Sequence, residues 1–298
     1  MRILLLGKDG QLGWELQRSL SPLGEVCALG RKTLDLEDVN AISCCVRDHR
    51  PELVVNAAAY TEVDKAESEP WKAHAINAEA TAVLAEESAR LNAWLLHYST
   101  DYVFDGTKHT PYAETDVTNP LSVYGKTKCE GEIEIRRVNP KHLIFRTSWV
   151  YAARRHNFPR TIIRLAKEKE TLQVVADQFG APTSAELIAD VIALALHHHA
   201  GLSFSDGLAG TYHLAPAGST TWYEYAEYVL ALVRAGGVAL KAEEVRPIST
   251  DAYPVPAIRP RNSRLDITKI SKTFGLRLPH WQCHIERAVN SFIGEVMQ

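Results

Sequence analysis

Tyr124 and Lys128, in the stretch Ser122-Val123-Tyr124-Gly125-Lys126-Thr127-Lys128, are four residues apart, so on a helix they share one face. A free tyrosine has a pKa of about 10 and is a poor acid or base at neutral pH. A lysine ammonium one turn away favours tyrosinate. The expectation is therefore that Lys128 lowers the Tyr124 pKa towards working pH. A phenol tuned in this way can exchange a proton with an oxygen on which charge develops. Thr100, or its neighbour Ser99, can donate a hydrogen bond to the same oxygen. The Tyr-x-x-x-Lys spacing also occurs on solvated helix faces, so its meaning depends on the elements that position it.

Those elements read as an alternation. Strands are expected at residues 3–6, 25–29, 53–57, 94–98 and 142–146, and helices at 12–20, 39–47, 73–90 and 124–138. Several of the strands are unbroken apolar runs, as strands covered on both faces are. The fold class expected is α/β, a Rossmann-type doubly wound parallel sheet. After residue 149 the pattern loosens. Helices are expected at 158–167, 185–196, 222–233 and 284–292, strands at 172–175 and 211–214, and a proline- and arginine-rich stretch at 247–260. This predicts a smaller C-terminal α/β lobe for substrate, formed by residues 151–171 and 216–298. The nucleotide-binding part would be residues 1–150 with part of 172–215, one or two strands returning to the main sheet.

Gly7-Lys8-Asp9-Gly10-Gln11-Leu12-Gly13 follows the first strand and opens the first helix. Glycines there permit a tight turn and close approach of backbone to a pyrophosphate, which the helix amino end attracts. Dinucleotide binding is thus assigned to Gly7, Gly10, Gln11, Leu12 and Gly13. Many such folds end the second strand on an acidic residue for the ribose 2′-hydroxyl; this chain has Gly30-Arg31-Lys32. Two cations suit a 2′-phosphate, which favours NADPH, with NADH possible. Asp35 and Leu36 follow, suited to flank the adenine. Asn56-Ala57-Ala58-Ala59-Tyr60 closes another strand at the carboxyl edge, where small residues leave room for the cofactor.

The 298 residues are 46% hydrophobic with a net charge of −3. That is enough for a buried core and carries no general signature of nucleic-acid or membrane binding. The apolar opening Met1 to Leu6 stops at Gly7-Lys8-Asp9, too short for a signal sequence. Five cysteines (Cys27, Cys44, Cys45, Cys129, Cys283) without a Cys-x-x-Cys pair read as reduced thiols of a cytoplasmic protein. No zinc spacing is present, and His197-His198-His199 read as the end of a helix. From Arg246 to Arg277 seven cations meet two carboxylates, a local surplus of five that would suit a sugar nucleotide diphosphate. Trp149 and Trp222 could stack on a base or sugar, or pack in the core.

The glycine loop with Thr100, Tyr124 and Lys128 resembles the extended short-chain dehydrogenase/reductases. His97-Tyr98-Ser99-Thr100-Asp101-Tyr102-Val103-Phe104-Asp105-Gly106, Asn119-Pro120-Leu121-Ser122-Val123-Tyr124-Gly125-Lys126-Thr127-Lys128, Arg146-Thr147-Ser148-Trp149-Val150-Tyr151, Asp177-Gln178-Phe179-Gly180-Ala181-Pro182-Thr183 and Arg259-Pro260-Arg261-Asn262-Ser263 narrow it. They resemble the dTDP-4-dehydrorhamnose reductase family nearly end to end. The resemblance implies reduction of the 4-keto group of dTDP-6-deoxy-L-lyxo-4-hexulose to dTDP-L-rhamnose, a precursor of bacterial surface polysaccharides. It implies Tyr124 as proton donor, Lys128 as holder of the nicotinamide ribose and Thr100 as third catalytic hydroxyl. Thr100, Asp101, Tyr124, Trp149, Arg259 and Asn262 would meet substrate. Ala57, Ala58, Ala59, Tyr60, Thr61 and Tyr98 would meet cofactor, with Tyr124 and Lys128. Asn77 would hold the lysine or a water chain. Mg2+ is associated with the family at a subunit contact, where Glu186 and Asp190, one turn apart, could contribute. The chain would be a monomer or homodimer. Two alternatives share the pattern: an NADP-binding regulatory subunit like the beta subunit of methionine adenosyltransferase, and a sugar-nucleotide epimerase.

Overall fold

The computed structural model describes residues 1–200 and 206–296. In chain order the first half runs β1 (Arg2–Leu6), α1 (Gln11–Leu20), β2 (Glu25–Leu29), α2 (Val39–His49), β3 (Leu53–Asn56), α3 (Val63–Ala66), α4 (Pro70–His74), α5 (Ala80–Arg90), β4 (Trp94–Thr100), α6 (Val123–Val138) and β5 (His142–Thr147). The second half runs β6 (Val150–Tyr151), α7 (Phe158–Glu168), β7 (Thr171–Val175), β8 (Phe179–Gly180), β9 (Thr183–Ser184), α8 (Ala185–Ala200), β10 (Gly210–His213), β11 (Thr220–Thr221), α9 (Trp222–Ala235), β12 (Glu244–Ile248), α10 (Thr268–Phe274) and α11 (Trp281–Val296).

The main sheet has six strands in the order β10-β5-β4-β3-β1-β2, and every pairing in it is parallel. The order in which strands are added reverses at β1: β2 lies on one side of it and β3 on the other. That switch point at the carboxyl edge is where open α/β sheets take ligands. Strand residues alternate between two apolar layers. Ile3, Leu5, Val55, Leu96 and Phe145 pack with Leu16 and Leu20 of α1, Ile188 and Ile192 of α8 and Ile270 of α10. Leu4, Leu6, Val54, Leu95 and Ile144 pack with Ile42 and Val46 of α2, Leu84 of α5 and Ile135 of α6. The doubly wound parallel fold expected from the alternation is the one observed.

The differences from the expected elements have local causes. The helix expected at 73–90 is interrupted: α4 passes through a wider π-helical turn, Ala75–Glu79, before α5. That turn presents Asn77 to the protein interior, and its carbonyl lies so close to α6 that a Cβ on Gly131 would come within 2.4 Å of it. From the later segments β10 joins the main sheet, beside β5. The strand β7 pairs instead with β12, a strand the sequence conceals because it carries Pro247. Proline is tolerated there because a two-stranded ladder is all edge. Around β7 and β12 a second core gathers Tyr151, Ile163, Leu172, Val174, Tyr225, Val229, Leu230, Trp281 and Ile285 from α7, α9 and α11. His197 to His199 fall in the last turn of α8; the side chains of His198 and His199 lie outside the described residues. No described helix is long and apolar enough to cross a membrane.

One polar contact in the core fixes α6 to the sheet. Glu132, fully buried, receives Arg146 of β5 through two hydrogen bonds of 2.8 and 2.6 Å and Arg136 through a third of 2.9 Å. Buried ion pairs are costly to break one-sidedly, because the surviving charge stays buried. Glu132→Gln is expected to lose about 3–5 kcal/mol of stability in urea unfolding. A loss below about 1 kcal/mol, as at an exposed pair, would show that the contact does not hold α6.

Candidate active site

The loop after β1 is shaped by close backbone packing. Gly7 has φ +85°, and a Cβ there would lie 2.8 Å from the Ala57 carbonyl group; a Cβ on Gly13 would come within 2.0 Å of the Gly7 oxygen. Gly10 caps α1 with no side chain accepting from the first turn and no acid in it. The first N–H groups of α1 therefore have no side-chain acceptor, the arrangement that helix ends binding an anion share. At the end of β2, Gly30 accommodates a neighbour the sequence reading missed: a Cβ there would overlap the Asp9 carboxylate at 2.0 Å. Arg31 and Lys32 are exposed, and among the described residues neither has an ion-pair partner. Asp35 is a turn residue accepting from the Glu37 N–H at 3.1 Å, and Leu36 is buried in the core with Ile42. Ala57, Ala58 and Ala59 are half-buried at the edge, Thr61 is exposed, and the Tyr60 hydroxyl donates to Glu69 at 2.8 Å. Gln11 accepts a long bond of 3.4 Å from Asn157, and Leu12 packs on the core.

Ser122 caps α6 by accepting from the Gly125 N–H at 3.1 Å. From there Tyr124, Lys128 and Glu132 form a stripe at intervals of four along the buried face. Gly125 lets this end of the helix approach the chain after β4, since a Cβ would lie 2.2 Å from the Tyr102 oxygen. The Tyr102 and Tyr124 rings meet edge to face at 5.5 Å. Thr100, the last residue of β4, lies beside the Tyr124 phenol and donates to Asp101 at 3.1 Å. Ser99 faces the other way, towards Glu132. Of the two hydroxyls considered, Thr100 is the one beside the phenol.

The electrostatics depart from the sequence expectation. Burial pushes the Tyr124 phenol up to about 12, with the Asp101 charge adding to the rise and the Thr100 bond opposing it. Lys128 does not lower it. Its Nζ is turned to β4, donating to the Tyr98 carbonyl at 2.7 Å and lying 3.0 Å from His97 Nε2. Burial takes Lys128 itself down to about 7, with Glu132 pulling the other way. Burial likewise raises Asp101 to about 6, against its bonds from Ser263 and Thr100. A phenol that stays protonated at neutral pH is suited to give a proton to an alkoxide as it forms, which is the direction a reduction needs.

Other expected positions have different partners. Asn77 does not reach the lysine: its amide takes the Tyr60 N–H at 2.9 Å and donates to the Tyr60 oxygen at 3.2 Å and to Thr127 at 3.1 Å. It clamps the loop after β3 to α6. Trp149 and Trp222 stack on each other, centroids 3.6 Å apart, rather than presenting two free faces. Trp149 also adopts φ +50°, a strained region for a bulky side chain, and packs against Gly180. The amide of Asn262 is fully used within the chain, donating to the Lys108 and Thr110 carbonyls and accepting from Arg264. Arg259 forms a two-pronged pair with Asp64 at 2.9 and 2.8 Å. The cations from Arg246 to Arg277 are thus dispersed: Arg246 pairs with Glu244, and Lys269 bonds the Thr211 carbonyl. Tyr98 lies in the core on the α1 and α8 side. Glu186 pairs with Arg287 at 2.9 Å and Asp190 with Arg18 at 2.8 Å, and no group of three or more ligating side chains occurs among the described residues.

A parallel doubly wound sheet, a glycine-built loop after its first strand and a Thr–Tyr–Lys set at the same carboxyl edge define a nicotinamide-dependent oxidoreductase of the short-chain dehydrogenase/reductase type. The family profile described as the RmlD substrate binding domain matches residues 1–293. The chain is 49% identical over 294 residues to dTDP-4-dehydrorhamnose reductase of Escherichia coli, covering 97% of each. It superposes with a TM-score of 0.87 on dTDP-4-dehydrorhamnose reductase from Bacillus anthracis in complex with NADP, at 34% identity and 99% coverage of each chain. UDP-glucose 4-epimerase of Thermus thermophilus, complexed with NAD, has a TM-score of 0.78 at 23% identity over 99% of each chain, a likeness of fold alone. This chain belongs to the dTDP-4-dehydrorhamnose reductase family.

The loop geometry gives a direct expectation. Gly13→Ala forces its Cβ onto the Gly7 oxygen and should weaken binding of ADP-ribose, measured by calorimetry, by at least about tenfold, equivalent to about 1.4 kcal/mol. Unchanged affinity would mean the nucleotide lies elsewhere.

Proposed function

We propose that this protein reduces the 4-keto group of dTDP-6-deoxy-L-lyxo-4-hexulose to dTDP-L-rhamnose with NADPH. The observation that carries the reading is the meeting of the Thr100 hydroxyl and the Tyr124 phenol at the end of β4, on the edge where the Gly7–Gly13 loop opens. The names of the relatives and the NADP complex of one of them agree with it.

Gly7, Gly10 and Gly13, with the open amino end of α1, hold the dinucleotide pyrophosphate. Ala57 to Thr61 and Tyr98 border the cofactor, and Lys128 holds the nicotinamide ribose. Bound NADPH supplies the hydride that the sugar C4 receives. Thr100 steadies the carbonyl oxygen as charge develops on it, and Tyr124 protonates that oxygen. Asp101, next to Thr100, is assigned to the sugar, and Arg259 and Trp149 to the same substrate. The product feeds surface-polysaccharide synthesis, and the protein acts in the cytoplasm.

The test is loss of reduced-nicotinamide absorbance when the keto sugar nucleotide is added. Tyr124→Phe should lower kcat by about 10²–10⁴-fold while leaving NADPH affinity within about twofold. Near-normal turnover would remove the phenol from the chemistry. Steady consumption of NADPH also separates a reductase from an epimerase, which restores its cofactor, and from a purely regulatory subunit.

Arg31 and Lys32 are assigned to the 2′-phosphate of NADPH. Replacing both by Ala should raise KM for NADPH by about tenfold and leave KM for NADH within about twofold. Equal effects on both cofactors would overturn that assignment.

A further inference from the structure

His97 is fully buried, has no place in the chemistry above, and touches Lys128 of the reaction centre. It sits on β4 in register with Asn56 on β3, and both side chains are buried. The hydrogen bonds around this pair determine where the imidazole proton lies. Asn56 Oδ1 accepts from the Ala58 N–H at 3.2 Å, so the amide nitrogen is the end that faces His97 Nδ1, at 3.1 Å. An amide nitrogen only donates, so Nδ1 must be the bare nitrogen. The neutral ring then carries its proton on Nε2, and Nε2 lies 3.0 Å from Lys128 Nζ.

An ammonium has three donors and no lone pair. Against an Nε2–H it sets donor against donor. A neutral amine accepts that hydrogen and can still donate to the Tyr98 carbonyl at 2.7 Å. We propose that His97, held by Asn56 as the Nε2–H tautomer, is a positioning residue that favours the neutral amine of Lys128 in the free protein, so that Lys128 takes up its proton more readily once its N–H groups gain other acceptors.

Other groups around the lysine pull in known directions. Glu132, one turn along α6, favours the ammonium but is itself neutralised by Arg146 of β5 and by Arg136. Tyr124, on the same face, is held protonated, and Asp101 beyond β4 is raised to about 6. Burial lowers both His97 and Lys128, and each charge would repel the other. With both neutral, the hydrogen-bond chain Asn56 to His97 to Lys128 to Tyr98 is complete. An imidazolium would lose the bond from Asn56.

The inference deepens the reductase reading, yet its test needs no substrate. In the free full-length protein with ¹⁵N-labelled histidine, the His97 ring, assigned by its loss in His97→Asn, should show a protonated Nε2 and a bare Nδ1. It should not titrate through the ordinary histidine range. A protonated Nδ1, or an imidazolium at neutral pH, would overturn the proposal. In protein with ¹³C-labelled lysine, the Lys128 Cε signal, assigned by its loss in Lys128→Met, should titrate near pH 7. Asn56→Asp should reverse the tautomer, because a carboxylate accepts from Nδ1–H and leaves Nε2 free to accept from an ammonium. The Lys128 titration should then rise by about one unit or more, a tenfold gain in proton affinity. His97→Gln should move it the same way. An unmoved titration in a folded Asn56→Asp protein would refute the link. Failure of the NADPH assay with these NMR results intact would instead refute the reductase reading alone.

Discussion

Everything at the reaction centre depends on a helix held against the sheet by polar and charged groups it has buried. The stripe Tyr124, Lys128, Glu132 on α6 would be a solvated face in an isolated helix. Here Glu132 meets Arg146 of β5, and Lys128 meets the Tyr98 carbonyl of β4. Strands β4 and β5 are adjacent and parallel, so the two contacts fix both the rotation and the height of α6. That leaves Tyr124, one turn before the lysine, at the carboxyl end of β4 beside Thr100. The Ser122 cap and the close contact at Gly125 set where the helix begins. The phenol is placed by backbone packing and buried charge, so little rotational freedom is left to be lost during the reaction.

The two faces of the sheet divide the work. On the α1 face lie the glycine loop and a helix end with no side-chain cap, whose backbone N–H groups are the proposed pyrophosphate site. On the α6 face lie the side chains proposed to give the proton and steady the oxygen. The π-helical turn before α5 links the two, because Asn77 there grips both the loop after β3 and Thr127 of α6. On the lobe side, the left-handed Trp149 backbone holds its indole against Trp222 and Gly180 where the chain leaves the main sheet. Strain of that kind persists only where the surroundings enforce it, and here two packed rings do so.

The alternation of apolar runs and helical periods was legible in the sequence because local patterns encode it. The same holds for the loop at Gly7–Gly13 and the Tyr124–Lys128 face. What depended on distant partners was not legible. The lysine was expected to charge the phenol; in the structure it is turned to β4, and burial dominates both groups. Asn262 and Asn77 carry polar amides that could serve a ligand, but backbone groups of nearby loops use them. Trp149 and Trp222 lie far apart in sequence and stack only in the fold. His97 was in plain view within a quoted motif. Its partner is Asn56, forty-one residues earlier, and only the register of β3 with β4 brings them together. Asp9 at Gly30 is a similar case, with a carboxylate reaching from the first loop to the end of the second strand.

The central claim is that this edge of the sheet delivers a hydride to a sugar carbon and a proton to its oxygen in one net reduction. The most direct measurement uses NADPH deuterated at the transferable position of the nicotinamide, with the keto sugar nucleotide, followed by NMR of the product. The account predicts one deuterium at C4 of the deoxysugar for each cofactor oxidised. A product with hydrogen at C4, or one formed while the cofactor stays reduced, would contradict it.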